Sequence, residues 1–136
     1  MELTLEQAEK MIQGARQKAQ ELGCRMSFAV LDSAGVMVAS VRMDGAGKMT
    51  PRIAQAKGFT AVVFRRPSGE VGSLAKERPQ VFEAFPAIVG GTLLPADGGL
   101  PFLVNGEVVG ALGSSGATPD VDLLCAQAGI AAATGS

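Results

Sequence analysis

Asn105-Gly106 stands between two apolar runs, Phe102 to Val104 and Val108 to Leu112. Both residues accept positive φ, so the pair predicts the two-residue turn whose twist suits antiparallel strands. Any fold of this chain must therefore accommodate a β-hairpin here. Gly98-Gly99 precedes the hairpin, and Gly113-Ser114-Ser115-Gly116 follows it. Residues that lack side chains let another backbone, or a ligand, come close.

The remainder of the chain supplies helices and a second hairpin. Leu5, Ala8, Met11, Ile12, Ala15, Ala19 and Leu22 recur at helical spacing. Thr4 and Gln7 form a capping box, and Gly23 provides the stop. Met26 to Asp32 and Val36 to Met43 read as strands joined by the turn Ser33-Ala34-Gly35. Thr50 as cap and Pro51 as first residue open a helix that runs to Phe64. Short helical pieces begin at Ser68 and around Val81 to Phe85, and Thr92 to Pro95 reads as a short strand. Thr118-Pro119-Asp120 starts a last helix, with Val121, Leu124, Cys125, Ala128 and Ala132 as its inner face. Its other side is also alanine-rich, through Ala126 and Ala131. That pattern predicts cover by a second subunit. Five strands in hairpins, with helices between them, indicate an α+β domain with one antiparallel sheet.

Composition narrows the function. A chain of 136 residues forms a single domain, 1–136, and no apolar run is long enough to span a membrane. A net charge of −1 with no basic stripe, and no Trp or Tyr, argues against a nucleic-acid partner. The chain opens directly on an acidic helix pattern, which predicts a cytoplasmic protein. Cys24 and Cys125 match no metal or redox spacing. The absence of histidine removes imidazole base chemistry, Ser-His triads and the commonest zinc and haem ligand.

Four segments then carry a family likeness. They are Leu3-Thr4-Leu5-Glu6-Gln7-Ala8-Glu9; Val30-Leu31-Asp32-Ser33-Ala34-Gly35 through Arg42-Met43-Asp44-Gly45-Ala46; Ile53-Ala54-Gln55-Ala56-Lys57 with Thr60-Ala61; and Gly98-Gly99-Leu100-Pro101 through Val108-Val109-Gly110-Ala111-Leu112-Gly113, Ser115-Gly116, Asp120 and Asp122. In order and spacing they resemble the GlcG/HbpS-like family, which includes the C-terminal domain of PduO-type proteins. The resemblance implies a profilin-like fold, a five-stranded antiparallel sheet with helices on its faces. It also implies homo-oligomers, from dimers to octamers, and relatives linked to haem, corrinoid or glycolate metabolism. Haem ligation through histidine does not transfer to this chain, so haem would need another ligand or apolar packing alone.

Arg42 at a strand end, Asp44 in the glycine loop and Lys57 on the second helix are the first candidates for chemistry. Arginine offers bidentate recognition of a carboxylate or phosphate. Equally, Arg42 or Lys57 could pair with Asp44 and simply fix the loop. Lys57 lies in an apolar arc; its stem could pack while the ammonium reaches water, or it could be a partly buried base. Gly98, Gly99, Ser114 and Ser115 could form an anion nest, whereas Asp120 and Asp122 would repel an anion or accept a ligand's hydroxyls. Two aspartates without His or Cys make no more than a weak hard-cation site, so no metal is expected. The leading expectation is an oligomeric protein that binds a small anionic metabolite and requires no cofactor. The alternatives are a lyase or isomerase with Lys57 as base and Arg42 as carboxylate anchor, and haem or corrinoid binding without histidine.

Overall fold

A computed structural model describes residues 1–134. Helix α1 (Leu5–Glu21) begins at the expected capping box: the Thr4 side chain accepts from the Gln7 N–H, and the Gln7 side chain accepts from the Thr4 N–H, both at 3.0 Å. Strands β1 (Ser27–Asp32) and β2 (Met37–Arg42) follow, then α2 (Thr50–Phe64). A 3-10 turn (Ser68–Val71), α3 (Gly72–Glu77) and α4 (Pro79–Val89) form an arm. The central hairpin, β3 (Gly99–Val104) and β4 (Glu107–Ser115), and α5 (Pro119–Ala133) complete the chain. At the hairpin tip Asn105 and Gly106 both have positive φ, 52° and 78°.

The sheet is antiparallel, with order β2-β1-β4-β3. It has four strands, not five, among the described residues. The expected strand at Thr92 to Pro95 is absent, because its backbone groups are committed elsewhere. The Leu94 N–H donates to Thr60 Oγ1 at 2.8 Å, the Ala96 N–H donates to the Leu94 carbonyl, and Pro95 has no N–H to give. Ser68 Oγ completes the tether by donating to the Ala96 carbonyl and accepting from the Gly99 N–H.

Three further expectations shift. Thr50 does not cap α2; its hydroxyl donates to the Gly47 carbonyl and meets Ser27 Oγ, and Met49 holds the cap position without a side-chain bond. Helix α4 runs straight through Pro86 to a left-handed Gly90. Helix α5 is rolled relative to the expected face. It buries Asp122, Cys125, Ala126, Gly129 and Ala133, while Leu124 is 43% exposed and Ala131 faces outward. The roll has a steric cause. Gly129 sits against Leu112 and the Met11 carbonyl, and Gly14 of α1 sits against Ala132, so only a small-residue face lets the two helices meet.

Helices α1 and α5 pack on one face of the sheet around Met11, Phe28, Val30, Phe102, Leu112 and Cys125. Helix α2 covers the other face around Leu31, Ala61, Val62 and Ala111. It lies so close to β4 that a Cβ on Gly113 would collide with the Ala54 carbonyl. Gly113→Ala is therefore expected to lower stability by about 1–3 kcal/mol, read as a fall in melting temperature; an unchanged melting temperature would refute the close approach.

Candidate functional site

The sequence candidates separate into two places. Lys57 projects from α2, on one face of the sheet, and reaches Asp122 of α5, on the other. Its Nζ lies 2.7 Å from Asp122 Oδ2, and the two residues are 5% and 3% exposed. The path runs past the start of β3. A Cβ on Gly98 would fall 2.9 Å from the Lys57 Cδ, and one on Gly99 would strike the Lys57 carbonyl. Gly98 also has φ 131°, and its carbonyl accepts from the Ser114 N–H at 2.9 Å. Gly98 is thus the notch beside which the lysine stem passes, and Gly99 lets the α2 backbone come close to β3.

Both ends of the pair are further bonded. Asp122 Oδ1 accepts from the Ala117 N–H at 3.0 Å, which pins the loop before α5, and Lys57 Nζ stands 3.5 Å from the Ser114 carbonyl. Lys57 therefore neither reaches water nor stands free as a base: its charge meets a carboxylate inside the protein. Ser115 is buried, and Ser114 Oγ is buried with no hydrogen-bond partner among the described residues. Asp120 points to solvent. Hydrogen bonding from the Thr118 side chain, then from the backbone N–H groups of Asp120 and Val121, holds its carboxyl below the usual 3.8. The structure thus brings Lys57, Gly98, Gly99, Ser114 and Asp122 together as a packed junction between layers.

Arg42 and Asp44 lie elsewhere. They line an open cleft of about 680 Å³ with Arg16, Gln20, Gly23, Cys24, Arg25, Val41 and Met43. Cross-strand pairing builds it. Ser27 faces Arg42, so Arg25 just before β1 comes beside the residues just after β2, and its guanidinium lies over Gly45. Arg16, from the last turns of α1, closes the cleft. Among the described residues none of the three arginines makes an ion pair, and the lining of the cleft includes one carboxylate residue, Asp44. Arg16, Arg25, Cys24 and Met43 were not singled out from sequence. The signal was there in the hairpin, whose register places residue 25 beside residues 43 and 44.

Two sulfurs differ sharply in setting. Cys24 is half-buried in the cleft, whereas Cys125 lies in the core with Sγ 3.6 Å from Met26 Sδ, and burial pushes its thiol up to about 11. No group of three or more His, Cys, Asp or Glu able to hold a metal occurs among the described residues.

A family model described as haem degrading protein HbpS-like matches residues 3–131. Escherichia coli K12 protein GlcG is 30% identical over 113 residues, which is 83% of this chain and 81% of that protein. A Streptomyces reticuli HbpS double mutant is 34% identical, covering 96% of this chain and 86% of its own, with TM-score 0.86. A PduOC–haem complex superposes with TM-score 0.85 over 97% of this chain and 95% of its own; at 24% identity that likeness establishes the fold.

If the buried pair is a junction, removing one partner strands a charge. Asp122→Ala is expected to cost about 3–5 kcal/mol, and Lys57→Met with Asp122→Leu to recover most of that loss. Denaturant unfolding measures both; a neutral single substitution would contradict the assignment.

Proposed function

The chain belongs to the haem degrading HbpS-like protein family, and on that footing we propose that it binds a small anionic molecule, a short carboxylate or phosphate, in the arginine cleft. One observation carries the reading: Arg16, Arg25 and Arg42 line a single open cleft, and none of them has an ion-pair partner among the described residues. Guanidinium groups suit such anions because their paired N–H donors match two oxygens at once. The protein is read as a homo-oligomer whose ligand lies near a subunit boundary. A cytoplasmic setting accords with two free thiols, and no described helix is long and apolar enough to cross a membrane.

The enzyme alternative is weaker on this arrangement. A lyase or isomerase using Lys57 as base and Arg42 as anchor needs both groups on one ligand. Lys57 does not line the arginine cleft, and its ammonium is held by Asp122.

Haem is the second reading, favoured by the donors in that same cleft. With no imidazole in the chain, Cys24 and Met43 are the sulfur donors available to iron, and the arginines suit the propionates. Bound there, haem would supply redox chemistry; the protein's part is to hold it and neutralise its carboxylates.

Calorimetric titration with inorganic phosphate and a panel of short mono- and dicarboxylates tests the leading reading. The expected result is saturable binding of at least one, weakened about tenfold or more by Arg42→Ala. Binding untouched by that substitution, or none across the panel, would overturn it. Soret absorbance on adding haemin, compared between wild type and Cys24→Ala, tests the second; spectra identical to free haemin would reject it.

A further inference from the structure

Strand β2 is an edge of the sheet, and among the described residues no strand pairs with its outer side. The other edge, β3, is guarded. It contains Pro101, which cannot donate, and its first residue is tied to Ser68. Apart from Arg42 at its end, β2 has no charge and no proline, reading Met-Val-Ala-Ser-Val-Arg. Its one irregularity is a register shift between Ala39 and Met37, which leaves Ala39 to Arg42 as a regular ladder. Beside that ladder runs a groove of about 460 Å³, lined by Leu5, Glu9, Ile12 and Gln13 of α1 and by Ala39 and Ser40 of β2. It meets the arginine cleft at Arg16 and Val41, which line both.

The charges along this groove are arranged for one kind of occupant. Glu9 and Arg16 lie on the same face of α1, seven residues or about 10 Å apart, with Ile12 and Gln13 midway between them. Both are exposed, and neither has an ion-pair partner among the described residues. A two-fold axis through the middle of that face sets Glu9 of each copy against Arg16 of the other. The same axis sets two β2 strands antiparallel, satisfying the free backbone groups of both. Leu5, 56% exposed, and Met37, 37% exposed, are the apolar flanks that such a seam would cover.

We propose that the β2 edge and the adjoining α1 groove seat a second copy of this chain, two-fold related, with β2 continuing the sheet and Glu9 facing Arg16 across the seam. This specifies the subunit boundary of the oligomeric reading above. It also brings the second copy to the rim of the arginine cleft, since Arg16 belongs to both.

Charge reversal tests the seat with the whole chain. Glu9→Arg or Arg16→Glu alone places like charges opposite each other twice per dimer. Each is expected to weaken association at least tenfold, read as a fall in mass by light scattering at micromolar concentration. The double variant is expected to restore the wild-type mass. Circular dichroism checks that each variant is folded, and Ala131→Glu probes the rival seat, the exposed alanine-rich side of α5 that the sequence predicts a second subunit would cover; with the seat at β2 it is expected to leave the mass unchanged. A wild type that is monomeric throughout would overturn both the seat and the oligomeric reading. An oligomer indifferent to both single reversals, or one dissociated by Ala131→Glu alone, would overturn the seat and leave the oligomer standing.

Discussion

A lysine that crosses a sheet to reach an aspartate sets the terms for much of this structure. Lys57 starts on one helical layer and Asp122 on the other, and their ion pair joins the two through the end of the sheet. Burying two charges is costly unless each finds a partner and the remaining polar atoms are satisfied. The consequences spread outward. Gly98 must lack a side chain so that the stem can pass, and Gly99 so that the α2 backbone can approach β3. Helix α5 must turn Asp122 inward, which rotates Leu124 out. The loop before α5 is held by the second carboxylate oxygen through Ala117.

That junction also separates architecture from recognition. The glycine bends that resemble an anion nest are filled by the protein's own lysine. The groups free to meet an anion lie at the arginine cleft, where α1 and the β1–β2 hairpin converge. The cleft sits beside the unguarded edge of the sheet, and Arg16 lines both the cleft and the groove along that edge.

Much of the fold was legible because its signals are local. The capping box at Thr4 and Gln7, the Asn105-Gly106 turn and the Thr118-Pro119 helix start each act within a few residues, and each stands where it was read. What escaped was set by tertiary partners. Residues 92–95 look like a strand until Thr60 takes the Leu94 N–H. The inner face of α5 cannot be assigned from apolar spacing, because the close approach at Gly129 and the buried Asp122 set it instead. The lining of the arginine cleft was half legible. Arg42 and Asp44 were found as a strand end and a loop. Arg16 and Arg25 were missed because a helix end and a pre-strand residue join them only through hairpin register.

The account stands most directly on where an anion binds. Backbone amide chemical shifts, followed while a short dicarboxylate is titrated into the uniformly labelled protein, locate it residue by residue. Movement concentrated at Gly23, Cys24, Arg25 and Met43 to Gly45, with Gly98, Gly99, Ser114 and Ser115 still, is the predicted pattern. Movement centred on those four instead would mean that the lysine junction opens to a guest, and would contradict the division between framework and site.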